Sequence, residues 1–197
     1  MLGRKHRQSL QRLIPYTSGR RVLMLGNQSS EVGDPRAFFD AGTYETIDPD
    51  GGDYRDSLTD ELPALREKYG AVVNIGTLEH IWDAHRAYCV AAGMVHVGGY
   101  FIGHSPVSGY AMHGIHVTAW WAVLRFFRQN GFHIETAWFT DKAGNDIRYQ
   151  NDKPVILWFV ARRIEAVAEW IAPQQTYKDG TKPRPEDYLR EFAGVLR

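Results

Sequence analysis

Ala71-Val72-Val73-Asn74-Ile75-Gly76-Thr77-Leu78-Glu79-His80 is an apolar run of strand length that stops on a glycine and passes into a polar turn. Continuous apolar and β-branched residues, without alternation, mark a strand covered on both faces. A similar run occurs upstream, in Arg21-Val22-Leu23-Met24-Leu25-Gly26; Tyr44-Glu45-Thr46-Ile47-Asp48 reads as a second strand that ends on an acid, and Gly99-Tyr100-Phe101-Ile102-Gly103 as a further strand downstream. Helical patterns fall between and after them, over residues 35–41, 58–68, 84–95 and 118–130. Gly131 closes the last of these in the position of a C-terminal cap.

Strands that alternate with helices imply a parallel sheet covered on both faces. Residues 132–139 and 154–161 are two further strands separated by the polar, hairpin-like stretch 141–152, so they should pair antiparallel at one edge. The expected fold is α/β: a mostly parallel, doubly wound sheet of about seven strands with helices on both faces and a C-terminal antiparallel hairpin. The 197 residues read as a single domain. Residues 1–19 are an N-terminal helical extension, in which Leu10, Leu13 and Ile14 lie at helical spacing among basic residues. Residues 21–163 form the core, and 172–197 a tail that ends in a helix starting at Pro185.

Composition excludes several classes of function. With 44% hydrophobic residues and a net charge of +0, the chain is not intrinsically disordered. The balanced charge also argues against a nucleic-acid partner. The single cysteine, Cys89, cannot support an internal disulfide and reads as packing. No run approaches the length of a membrane span, and the N-terminus lacks the apolar segment of a secretion signal, so a cytoplasmic protein is expected. The basic N-terminal helix and the tail after Ala172 offer contact elements for a homo-oligomer.

Function should lie at the strand ends, where open α/β sheets bind ligands. Four segments there carry a family resemblance. The run from Val22 to Gly26, continuing through Asn27-Gln28-Ser29, places a glycine where backbone can approach a ligand closely. Ile47-Asp48-Pro49 puts an acid about twenty residues further on, the arrangement that recognises ribose hydroxyls. Asp56-Ser57-Leu58 follows, and by residue type alone it also suits a helix cap. Leu78-Glu79-His80-Ile81-Trp82-Asp83 comes directly after the third run, with Glu79 and His80 expected to start the next helix.

From about Arg21 to Arg162 these segments, with Asn130-Gly131-Phe132, resemble the class I S-adenosylmethionine-dependent methyltransferases. The first motif departs from the family pattern, with Met24 where an acid is usual and Gln28 where a second glycine is usual. The resemblance implies that S-adenosylmethionine is bound by Gly26, Asn27, Asp48, Pro49, Asp56, Leu58, Gly76, Thr77 and His80. Within that set, Asp56 would accept from the adenine amine and the Leu58 amide would donate to the ring. The implied activity is methyl transfer to an oxygen or nitrogen of a small or medium acceptor: a sugar, a peptide or a natural product. The degenerate first motif keeps open an alternative, a methyltransferase-like binding domain without catalysis. A nucleotide-dependent oxidoreductase would be expected to show G-x-G-x-x-G, which the first turn lacks.

Three histidines fall in the stretch from His104 to His116, expected as a loop over the same edge. His113 or His116 is the expected general base, because imidazole titrates near neutrality. His104, Tyr110 and Trp120 are the expected acceptor contacts, although most aromatics in the helix from Thr118 should be core. The spacing of His104, His113 and His116 matches no compact metal motif, so no resident metal is expected.

Overall fold

A computed structural model describes residues 6–26, 39–110, 113–173 and 185–197. Its strands are β1 (Arg21–Leu25), β2 (Thr43–Ile47), β3 (Tyr69–Ile75), β4 (Val95–Ser108), β5 (Phe132–Thr140), β6 (Asp146–Ile147) and β7 (Val155–Arg163). They form one sheet in the order β2-β1-β3-β4-β7-β5-β6. Pairing is parallel from β2 through β4, and β7 runs antiparallel to both β4 and β5. All of β3 is buried, as its unbroken apolar sequence requires.

The expected antiparallel pair forms, but β7 lies inside the sheet and not at its edge. Val155 to Ala161 are all buried: the two cores cover the faces of β7, and β4 and β5 pair with its backbone on either side. The outer side of β5 is partly closed by β6 and partly by the chain terminus: the Ala137 amide donates to the Val195 carbonyl at 2.9 Å, and the Arg197 amide to the Ala137 carbonyl at 2.9 Å.

The helices are α1 (Arg7–Gln11), α2 (Ile14–Thr17), α3 (Ala84–Gly93), α4 (Trp120–Gln129) and α5 (Pro185–Glu191). Alternate residues of each strand feed two cores. On one face, Leu23, Val72, Phe101 and Phe159 pack with Ala87 and Ala91 of α3 and Leu124 and Phe127 of α4. On the other, Val22, Met24, Val73 and Trp158 pack with Leu10 and Leu13. No helix among the described residues is long and apolar enough to cross a membrane.

Three further expectations change. The stretch 58–68 is not an α-helix; it holds one 3-10 turn, Pro63–Leu65, between Leu58 and Glu67, both at positive φ. Pro63 has no amide to donate and its ring obstructs the preceding turn, so a helix cannot run through it. Residues 78–80 are a separate 3-10 turn, and the helix proper begins at Ala84, where the Asp83 carboxylate caps the Arg86 amide at 2.9 Å. Strand β4 extends to Ser108, so His104 belongs to the sheet and not to a loop. The helix expected over 35–41 lies mostly outside the described residues.

Gly103 sits on β4 between β3 and β7, where an added Cβ would stand 2.0 Å from a ring carbon of Phe159. Gly103→Ala should therefore lower stability by at least about 1–3 kcal/mol, read from the midpoint of denaturant unfolding.

Candidate active site

Strands β1, β2 and β3 end side by side, and their last residues enclose a cleft of about 580 Å³. Gly26, Asp48, Pro49, Asp56, Leu58, Gly76, Thr77 and His80 all line it, joined by Ile81, Trp82 and Ile115. Asn27 lies outside the described residues. The volume falls in the ordinary range for small-ligand sites. A second cavity of about 110 Å³, beside Cys89 and Trp170, is too small for such a ligand.

The floor is made by two glycines and a threonine. Gly26 has φ +80°, and an added Cβ there would meet Thr77 Oγ1 at 2.5 Å. The Thr77 hydroxyl donates to the Leu25 carbonyl at 2.8 Å, tying the end of β1 to the turn after β3. The Gly26 amide donates to the Ile47 carbonyl at 2.8 Å, tying the same point to β2. Asn74, buried within β3, accepts from the amides of Thr77 and Leu78 at 3.2 and 3.1 Å and donates to the His104 carbonyl at 3.3 Å. Its role was not expected, although an amide inside an otherwise apolar strand is itself a signal of a structural polar contact.

Two aspartates turn the chain on the far wall. Asp48 Oδ1 accepts from the Asp50 amide at 2.8 Å, closing the loop through Pro49. Asp56 Oδ1 accepts from the Leu58 amide at 2.8 Å and holds Leu58 at φ +61°. The Leu58 amide, expected to donate to a ligand ring, is thus already engaged. Its side chain is buried, and the segment is a side-chain-closed turn and not the start of a helix.

The near wall is stitched through Glu79. Its main-chain carbonyl accepts from the amides of Ile115 and His116 at 2.8 and 3.0 Å, and Gly114, at φ +71°, approaches so closely that a Cβ would lie 2.9 Å from that oxygen. His116 Nε2 is 2.7 Å from the Trp82 carbonyl. A carbonyl can only accept, so Nε2 carries a proton, and in the neutral ring the lone pair lies on Nδ1. The Glu79 carboxyl is buried, which pushes its pKa up to about 7. His80 is held below the usual imidazole range, by burial first and by His113 second.

The other expected contacts are placed elsewhere. His104 is buried in the second core, with ring centroids 4.4 Å from Trp158 and 5.8 Å from His6. Neither of its ring nitrogens has a hydrogen-bond partner among the described residues. Trp120 is core, packed on Phe139, Tyr149 and Phe192. Tyr110 stands beside His113, ring centroids 5.6 Å apart, and Lys142 lies over its ring. None of these three lines the cleft. Sequence reasoning missed its apolar lip, Ile81, Trp82 and Ile115, because Ile115 reaches Trp82 only through the loop's attachment to Glu79.

No family model matches the sequence, and no curated protein matches it. Solved structures match in fold. An S-adenosylmethionine-dependent methyltransferase of Mesorhizobium loti gives a TM-score of 0.56 at 15% identity, covering 82% of this chain and 99% of that one. The 1,6-didemethyltoxoflavin-N1-methyltransferase of Burkholderia thailandensis, solved with 1,6-didemethyltoxoflavin and S-adenosylhomocysteine, gives 0.60 at 12% identity, covering 83% and 80%. The 4+2 cyclase SpnF gives 0.58 at 15% identity, covering 82% and 83%.

Burial, with His6 second, drives the His104 pKa down to about 3. A histidine whose folded pKa is depressed stabilises the fold above its unfolded pKa of about 6.5, and that contribution is lost as pH falls toward 3. Between pH 7 and pH 5 this group should cost about 2 kcal/mol of stability. Because Glu79, driven up to about 7, gains stability over the same window, denaturant unfolding at the two pH values should show the His104 contribution as the difference in pH dependence between the parent protein and His104→Leu.

Proposed function

We propose, from the premise that this chain carries the class I S-adenosylmethionine-dependent methyltransferase fold, that it transfers a methyl group from S-adenosylmethionine to an oxygen or nitrogen of a small or medium acceptor. One observation supports this above the others: eight residues chosen at separate strand ends on the family pattern line a single cleft.

The donor set fits the cofactor. Asp48 offers a carboxylate at the end of β2 for the ribose hydroxyls, and Asp56 one for the adenine amine. Ile81, beside the buried Ile47 and Leu58, gives an apolar surface for the base, and Gly26 and Gly76 keep the strand ends free of side chains. S-adenosylmethionine supplies a sulfonium-bound methyl to the nucleophile when bound. The chain's own work is to position the acceptor and remove its proton. Trp82 and Ile115, exposed apolar residues at the lip, make the acceptor wall for a sugar, a peptide or a natural product. Of the two histidines expected as base, His116 is favoured, because the Trp82 carbonyl fixes its tautomer with Nδ1 ready to accept a proton. His113 faces Glu79 instead, at 4.0 Å.

A binding domain without catalysis is the second reading, favoured by Met24 and Gln28 in the first motif. The 4+2 cyclase among the fold's relatives also illustrates that the fold carries other chemistry.

Calorimetry with S-adenosylmethionine and S-adenosylhomocysteine tests the reading directly. Both should bind, and Asp48→Ala should weaken them by roughly tenfold or more, the loss expected for hydrogen bonds to a charged group. Failure of both to bind would end the proposal. Turnover on hydroxyl and amine acceptors should then fall by about a hundredfold in kcat in His116→Ala, with KM little changed. Cofactor binding without turnover on any acceptor would favour the second reading.

A further inference from the structure

Glu79, His80 and His113 bring one carboxylate and two imidazoles together beside the cleft, with ligand atoms all within 4.8 Å of one another. They differ from the trio weighed in the sequence: His104 is buried in the second core, and His116 Nε2 is engaged by the Trp82 carbonyl. Glu79 and His80 are consecutive in the 3-10 turn after β3. His113 returns to them on the loop that is pinned to the Glu79 carbonyl.

A second observation points to a ligand. The Glu79 side chain is only 4% exposed, yet neither carboxylate oxygen has a hydrogen-bond partner among the described residues. Oε1 faces His113 Nε2 at 4.0 Å. A buried carboxylate is ordinarily matched by a cationic side chain or several N–H donors, because its charge is otherwise desolvated without compensation. A bound cation would fill that role here.

We infer that Glu79, His80 and His113 form a site for a divalent transition-metal ion, of the zinc, iron(II) or nickel(II) class that imidazole and carboxylate ligands suit. Around one such ion, ligand atoms about 2.0–2.2 Å from the metal stand roughly 3.4 Å apart. The present set reaches that by movements of about 1 Å in His80 and His113, both exposed. Three protein ligands leave a coordination position open, as in catalytic metal sites. His80 is itself a wall of the cleft, so that position lies beside the acceptor lip. An acceptor oxygen bound there gives up its proton more readily, which makes hydroxyl-bearing acceptors the fitting class; this last step rests on the methyl-transfer reading.

The test uses the full chain, made without a polyhistidine tag and stripped with EDTA. It is titrated with Zn²⁺ by calorimetry and with Co²⁺ by visible absorption, with no cofactor present. One equivalent should bind, Co²⁺ should show d–d bands of a nitrogen- and oxygen-ligated site, and Zn²⁺ should raise Tm. Glu79→Gln, His80→Ala and His113→Ala should each weaken Zn²⁺ by about tenfold or more. His133→Ala, at an exposed histidine of β5, should change nothing. Absence of stoichiometric binding in the parent protein overturns the site, and so does binding that survives unchanged in Glu79→Gln and His113→Ala. Circular dichroism and a retained metal-free Tm in the variants separate lost ligation from lost fold. A protein that binds Zn²⁺ but not S-adenosylmethionine keeps the metal site and loses the methyl-transfer reading, and the reverse result does the opposite.

Discussion

The hydrogen bond from the Thr77 hydroxyl to the Leu25 carbonyl is the constraint on which the site depends. It joins two strand ends at the point where the backbone leaves the sheet, and it exists only because residue 26 has no side chain. A methyl group at Gly26 would occupy the place of the Thr77 oxygen. Glycine is thus required by a close contact within the chain as well as by the φ of +80°. With the Gly26 amide held by Ile47, one short segment fixes the relative height of β1, β2 and β3. The cleft is the space left above that junction.

The near wall obeys a different economy. Glu79 uses its main-chain carbonyl to hold the loop that carries Ile115 and His116, and its side chain to face His113. A single residue therefore links the floor of the cleft to its rim. Because the carboxyl is buried and driven up to about 7, its charge is sensitive to whatever cation stands near it. Position and charge of the rim are coupled through this side chain.

Most of the sheet is legible in the sequence, since β1, β3 and β7 are continuous apolar runs in the buried middle of the sheet, and the more polar β2 and β5 still carry β-branched and aromatic residues. The order of the last strands is not. The apolar residues Val155 to Ala161 demand cover on both faces, but no local pattern says that the strand runs between β4 and β5. The stretch 58–68 misleads because its apolar spacing suits a helix, while Pro63 and the turn closed by Asp56 prevent one. The far wall of the site was readable because acids at strand ends have a recognisable spacing. The partnership of Glu79 with His113 was not, since it depends on how a distant loop is hung. His104 and Trp120 look like loop and pocket residues in sequence, and the lengths of β4 and α4 draw them into the two cores.

The lip of the cleft has an optical consequence. Trp82 is 80% exposed, whereas Trp120, Trp138 and Trp158 are buried in the cores. The indole that water quenchers reach most easily therefore stands at the mouth of the cleft. The long-wavelength edge of the intrinsic emission reports chiefly on that mouth, and a molecule that settles against Trp82 shields it and shifts the spectrum to the blue. The protein carries its own fluorophore at the place where an acceptor would arrive.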